Sequence, residues 1–165
     1  MLNNLIFRSM PYIFVVFFIF FESTQNYFFD DEMIKPYMFF LILYCWVNND
    51  VRKFSALTIF FLCTLYDLIQ GGVVGITSLF FLFFQYSHRR KFNDLIFNDL
   101  KEVWIKFIII FTVYVFIISL TTIFINDDQI IIKNLAISYI LSIALFPLFF
   151  SIVDKLSYRF RNYNE

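Results

Sequence analysis

Apolar residues run along this chain in long blocks rather than in alternation, and polar residues collect between the blocks. Six blocks stand out, at about 5–23, 33–47, 54–69, 72–87, 103–126 and 129–153. A bilayer core of roughly 30 Å needs about 20 apolar residues per helical crossing, and runs of this length and continuity match that requirement. The pattern predicts an all-α polytopic membrane protein, a single integral domain over residues 1–165 built as a bundle of about six transmembrane helices. The first block follows Arg8 and is shaped like a signal sequence. Phe21-Glu22-Ser23 lacks the small residues at alternating positions that cleavage needs, so the block reads as an uncleaved first helix.

Composition strengthens this picture. Of 165 residues, 61% are hydrophobic, 24% aromatic and 16% charged, whereas a soluble domain runs near 45–50% apolar and about 25% charged. Six crossings leave no room for a separate soluble domain. The 27 Phe residues raise hydrophobicity everywhere, so a lone Phe carries little information. Thirteen basic and thirteen acidic residues cancel, which removes any global field for nucleic acid or anionic lipid. Cys45 and Cys63 lie inside apolar blocks and read as buried small hydrophobes. Two Cys and one His cannot make a structural zinc site unaided, and no cofactor is expected.

The position of each charge orients the chain. With the first block starting on the cytoplasmic side, that side holds Arg8, Arg52, Lys53, Arg89, Arg90, Lys91, Lys101, Lys106, Lys155, Arg159 and Arg161, while the other holds only Lys35 and Lys133. Eleven against two is a strong positive-inside bias, so both termini are expected in the cytoplasm and the number of crossings is even. Glu22, Asp30, Asp31, Glu32, Asp127 and Asp128 fall in the external loops of this scheme. The blocks at 54–69 and 72–87 have about 24 Å of helix each, short of the hydrocarbon thickness. They fit two short crossings that thin the bilayer or a re-entrant pair that never emerges. Tyr86 is placed as an interface anchor before Ser87-His88-Arg89-Arg90-Lys91, a basic cluster that fixes topology and touches anionic lipid head groups. Phe92, Leu95, Ile96 and Leu100 then recur at helical spacing, which suggests a short interfacial helix.

One segment carries unusual chemistry. All three glycines, Gly71, Gly72 and Gly75, closely follow Asp67. Glycine permits positive φ in a tight reversal, and the spacing of Gly71 and Gly75 is the small-xxx-small pattern of close helix packing. Gly71 or Gly72 is therefore expected in a conformation strained for other residues, and Gly75 against a neighbouring helix. A carboxylate in an apolar block costs a few kcal/mol unless it meets water or a donor. Asp67 has three candidate roles: a cap on the free N–H groups opening the next helix, with Gln70 to Gly72 as donors; a contact with a partner; or proton and ion handling. Lys106 lies four residues after Glu102 and can pair with it. Pro36 opens the second block, and Pro147 is expected to kink the last. Paired His, Cys–His pairs and Gly-rich phosphate loops are missing, so enzyme activity is not expected.

These residues resemble the MreD family of rod-shape-determining membrane proteins. The likeness rests on Lys35-Pro36 and the apolar run to Tyr44-Cys45-Trp46, on Asp67-Leu68-Ile69 followed by Gly71, Gly72 and Gly75, and on Pro147 before a basic tail. It implies a non-catalytic scaffold or regulator of the cell-wall elongation machinery in the bacterial inner membrane. The partners it implies are an MreC-like membrane protein, the MreB cytoskeleton and the RodA/transpeptidase synthase complex. The competing class is the substrate-binding subunit of a vitamin-type ECF transporter, also a small six-helix protein. Those subunits commonly dock through an Ala-x-x-x-Ala face on the first helix, and this first helix contains neither Ala nor Gly.

Overall fold

The computed structural model describes residues 2–28, 34–49, 54–91, 100–126 and 132–162. Among them are six α-helices and no strand: α1 (Leu2–Phe28), α2 (Met38–Asn49), α3 (Ala56–Gln70), α4 (Ile76–Lys91), α5 (Leu100–Asn126) and α6 (Ile132–Asn162). The helices track the apolar blocks, with differences that have local causes. α2 starts later than its block because residues 34–37 are non-helical; the residue before a proline avoids helical φ/ψ, and Lys35 precedes Pro36. α4 continues through the basic cluster to Lys91. The interfacial helix expected next falls at residues 92–99, outside the described residues, and Leu100 already belongs to α5.

Side-chain contacts fix the direction of each helix. Ser78 on α4 meets Thr64 (Oγ–Oγ1, 2.9 Å) and the Phe60 carbonyl, while Gln85 donates to the Phe54 carbonyl just before α3, so α3 and α4 are antiparallel. Thr112 meets Tyr139 and Phe107 stacks on Phe146, which sets α5 against α6 in the same sense. The N–H groups of Lys35 and Tyr37 donate to Ser138 and Ser142, one turn apart on α6. The starts of α2, α4 and α6 therefore gather at one end of the bundle with the ends of α1, α3 and α5.

α2 is the axis of the molecule. Every residue from Phe39 to Asn48 is buried. Its aromatic side chains reach four other helices: Phe39 stacks on Tyr66 of α3, Phe40 packs on Phe81 of α4 and Tyr114 of α5, and Tyr44 meets Phe146 of α6. At 12 residues it is only about 18 Å long, short for a crossing by itself. A helix that is apolar all round belongs in a core, and here the other five provide its surroundings.

The outer surface is as apolar as the core. On α5, Ile105, Ile109, Val113 and Phe116 lie exposed along one face; on α3, Leu57, Phe61, Leu65 and Leu68 do the same. Such continuous stripes on a water-soluble surface would drive aggregation, so hydrocarbon is the solvent that fits them. By length and composition, Leu100–Thr121 and Lys133–Ser157 are long enough to cross a membrane.

Pro147 does not end α6, which runs through it. Proline cannot donate to the carbonyl one turn back, at Ile143. Trp104 of α5 does so instead, its indole N–H reaching the Ile143 oxygen at 3.2 Å. An acceptor released by the proline thereby becomes a link between the two long helices.

Candidate functional site: two buried carboxylates at a polar cavity

Asp67 joins two helices through two different groups. Its main-chain carbonyl accepts from Gly71 and Gly72, which closes the C-terminus of α3. Gly71 has φ +69°, the left-handed conformation of a helix C-cap, where a side chain costs energy. The Asp67 carboxylate reaches across the connection instead: Oδ2 accepts from the Gly75 N–H at 2.8 Å, and Thr77 adds side-chain and backbone hydrogen bonds. The donors thus lie at Gly75 and Thr77, one turn beyond the Gln70–Gly72 amides, because the Asp67 main chain already occupies the nearer ones. Thr77 also meets the Tyr114 hydroxyl at 3.0 Å, which extends the network from α3 through α4 to α5.

Gly75 has φ +101°, and apart from its chain neighbours no atom of the described residues lies within 4 Å of where its Cβ would stand. Close helix approach, expected from the Gly71–Gly75 spacing, is therefore not what this position requires; backbone conformation is. Gly75→Ala should lower stability by about 1–2 kcal/mol through strain. Gly72, with open space and no positive φ, should accept Ala almost without loss. Thermal unfolding of both variants in detergent checks the difference.

A second carboxylate stands at the same place, where the sequence pattern does not point to one. Glu22 reads in the sequence as an external-loop acid, yet it lies inside α1 and is 3% exposed. It continues the buried stripe of Pro11, Val15 and Ile19 by one further turn. Its Oε2 accepts from the Phe39 N–H at 2.9 Å and its Oε1 from the Tyr66 hydroxyl at 2.8 Å. Phe39 is the second residue of α2, so Glu22 caps the central helix as Asp67 caps α4. Each carboxylate also sits where the helix dipole favours negative charge.

Both acids face one cavity of about 280 Å³ at the end of the bundle where the caps meet. Its polar lining includes Lys35, Gln70, Thr77, Tyr114, Thr121, Asn134 and Ser138; Ile76, Ile118 and Leu135 supply apolar wall. Gly72 lines it, Gly71 and Gly75 flank it in sequence, and Pro36 is held buried between the lining residues Lys35 and Tyr37. Trp46 is fully buried in the second half of α2, and Pro147 lies at the middle of α6; neither lines the cavity. At the opposite end, Lys106 approaches Glu102 at 3.7 Å across one exposed turn of α5. Cys45 and Cys63 are buried free thiols. Among the described residues, no group of three or more His, Cys, Asp or Glu side chains could hold a metal ion.

No curated protein and no solved structure matches this chain. The family model described as rod shape-determining protein MreD matches residues 3–156, a stretch that includes all six helix cores, both capping carboxylates and the glycine-rich connection, and the chain belongs to that family.

Proposed function

We propose that this chain is a non-catalytic scaffold or regulator of the bacterial cell-wall elongation complex, acting in the inner membrane by binding other proteins. The family match over residues 3–156 carries this reading, since the family is defined by rod-shape determination. The proposed partners are an MreC-like membrane protein, the MreB cytoskeleton and the RodA/transpeptidase synthase pair. Apolar outer faces on α1, α3, α4, α5 and α6 support a chain that crosses the bilayer about six times, with α3 and α4 as two short crossings or a re-entrant pair. Lys101 and Lys106 at the start of α5 and Lys155 near the end of α6 lie away from the cavity, which supports cytoplasmic termini and an outward-facing cavity.

The test is purification of the tagged full chain from a rod-shaped bacterium that depends on it. An MreC-like protein is expected to co-purify, and depletion of the chain should turn rods into spheres. Retention of a vitamin-sized solute, with no MreC-like protein and no change of shape on depletion, would contradict the scaffold and favour a transporter subunit.

A further inference from the structure

The geometry points to a ligand site in the cavity between Glu22 and Asp67, one that takes a primary ammonium on a small zwitterionic group, supplied by the head group of an aminophospholipid such as phosphatidylethanolamine. The inference rests on the membrane placement above but not on any protein partner.

Size comes first. About 280 Å³ lies just below the usual range of small-ligand pockets, so a group the size of phosphoethanolamine fits. The chemistry of the wall then restricts the choice. Two carboxyl groups and one ammonium, that of Lys35, line the cavity, so hydrogen-bond acceptors are in excess. The carboxylates are only 3% and 5% exposed, and both are held in place by the helices they cap. A carboxylate has about four acceptor positions. Glu22 accepts from Phe39, Tyr66 and the Met38 backbone, which leaves about one of its positions for a ligand. A primary ammonium offers three donors and a positive charge to such a wall, while Lys35 offers the complementary charge to a phosphate. Choline presents methyl groups instead of donors and fits the same wall poorly.

The surroundings favour a lipid over a free solute. Val74, Leu120, Ile123 and Ile137, close in sequence to the lining residues Val73, Thr121 and Ser138, are exposed apolar side chains. Acyl chains attached to a head group in the cavity would run along apolar surface rather than into water.

The experiment uses the purified full chain in detergent, with dioleoyl phosphatidylethanolamine and dioleoyl phosphatidylcholine as probes, and reads binding by native mass spectrometry and by the thermal midpoint. The ethanolamine lipid should bind at least about tenfold more tightly, as expected for loss of a hydrogen bond to a charged group. Thr121→Leu fills the cavity from α5. Among the described residues, the Thr121 hydroxyl bonds to the Ile117 and Ile118 carbonyls of its own helix and to no other helix. The variant should unfold at the wild-type midpoint without lipid and lose the preference. Stabilisation by soluble phosphoethanolamine alone would support the site with a free zwitterion as its source; stabilisation by the lipid alone would support it with the membrane as its source. Equal binding of the two lipids by the wild-type chain, a comparison that needs no variant, would overturn the inference. So would an unchanged preference in Thr121→Leu. Neither result bears on co-purification with an MreC-like protein, so the two proposals fail separately.

Discussion

Glu22→Leu is expected to be among the most damaging single substitutions in this chain. It strips the acceptor from two buried donors at once, the Phe39 N–H and the Tyr66 hydroxyl. A buried donor left unpaired costs about 1–3 kcal/mol, so the pair amounts to about 2–6 kcal/mol. Against a typical stability of about 5–15 kcal/mol, that loss is a large fraction and should lower both the unfolding midpoint and the level in membranes. The damage would spread because Phe39 opens the helix on which all the others pack. Glu22→Gln keeps a carbonyl for Phe39 and can offer its amide N–H to the Tyr66 oxygen, so it should retain most of the stability. Membrane levels by immunoblot and unfolding midpoints in detergent measure both effects.

Asp67 gives the second large effect, and here the side chain's charge can be separated from its hydrogen bonds. Asp67→Asn keeps an acceptor for the Gly75 N–H and has nearly the same shape; Asp67→Leu leaves that donor and those of Thr77 without the acceptor they now use. As a helix cap, Asp67 should therefore tolerate Asn, with normal membrane level and rod-shape support, while Leu loses both at a cost of about 1–3 kcal/mol per unpaired donor. An Asn variant that is abundant and folded yet fails to support rod shape would contradict the cap and identify a charged contact with a partner. Glu22 and Asp67 differ in this respect. Glu22 is closed in by α2 and α3, whereas Asp67 sits beside the exposed Gly71–Gly72 turn.

The two acids also show what the sequence can reveal and what it conceals. Asp67 stands alone in an apolar block, where its desolvation cost marks it at once. Glu22 opens the polar run Glu22-Ser23-Thr24-Gln25-Asn26, which looks like the start of a loop. Its place on the buried stripe of α1 is hidden because the unbroken apolar run from Ile13 to Phe21 makes every face of that helix apolar. An all-round apolar sequence conceals α2 in the same way: nothing in Met38–Asn49 distinguishes a helix enclosed by protein from one facing lipid. The glycine positions were legible, but the reason for one was not. Spacing suggests close packing at Gly75, whereas its positive φ follows from Asp67 drawing the Gly75 N–H back toward α3. Nor does the block pattern contain the Trp104–Ile143 bond, which depends on two helices meeting opposite a proline.

In the proposed topology the capped end of the bundle, with its two carboxylates and its cavity, faces away from the cytoplasm. Paired topology reporters test it most directly, fused in living cells after Asp31, Lys91, Asp128 and Glu165. The eleven-to-two distribution of basic residues predicts external signals after Asp31 and Asp128 and cytoplasmic signals after Lys91 and Glu165. An external signal at Glu165, or a cytoplasmic one at Asp128, would place the cavity on the wrong side of the membrane and contradict the account.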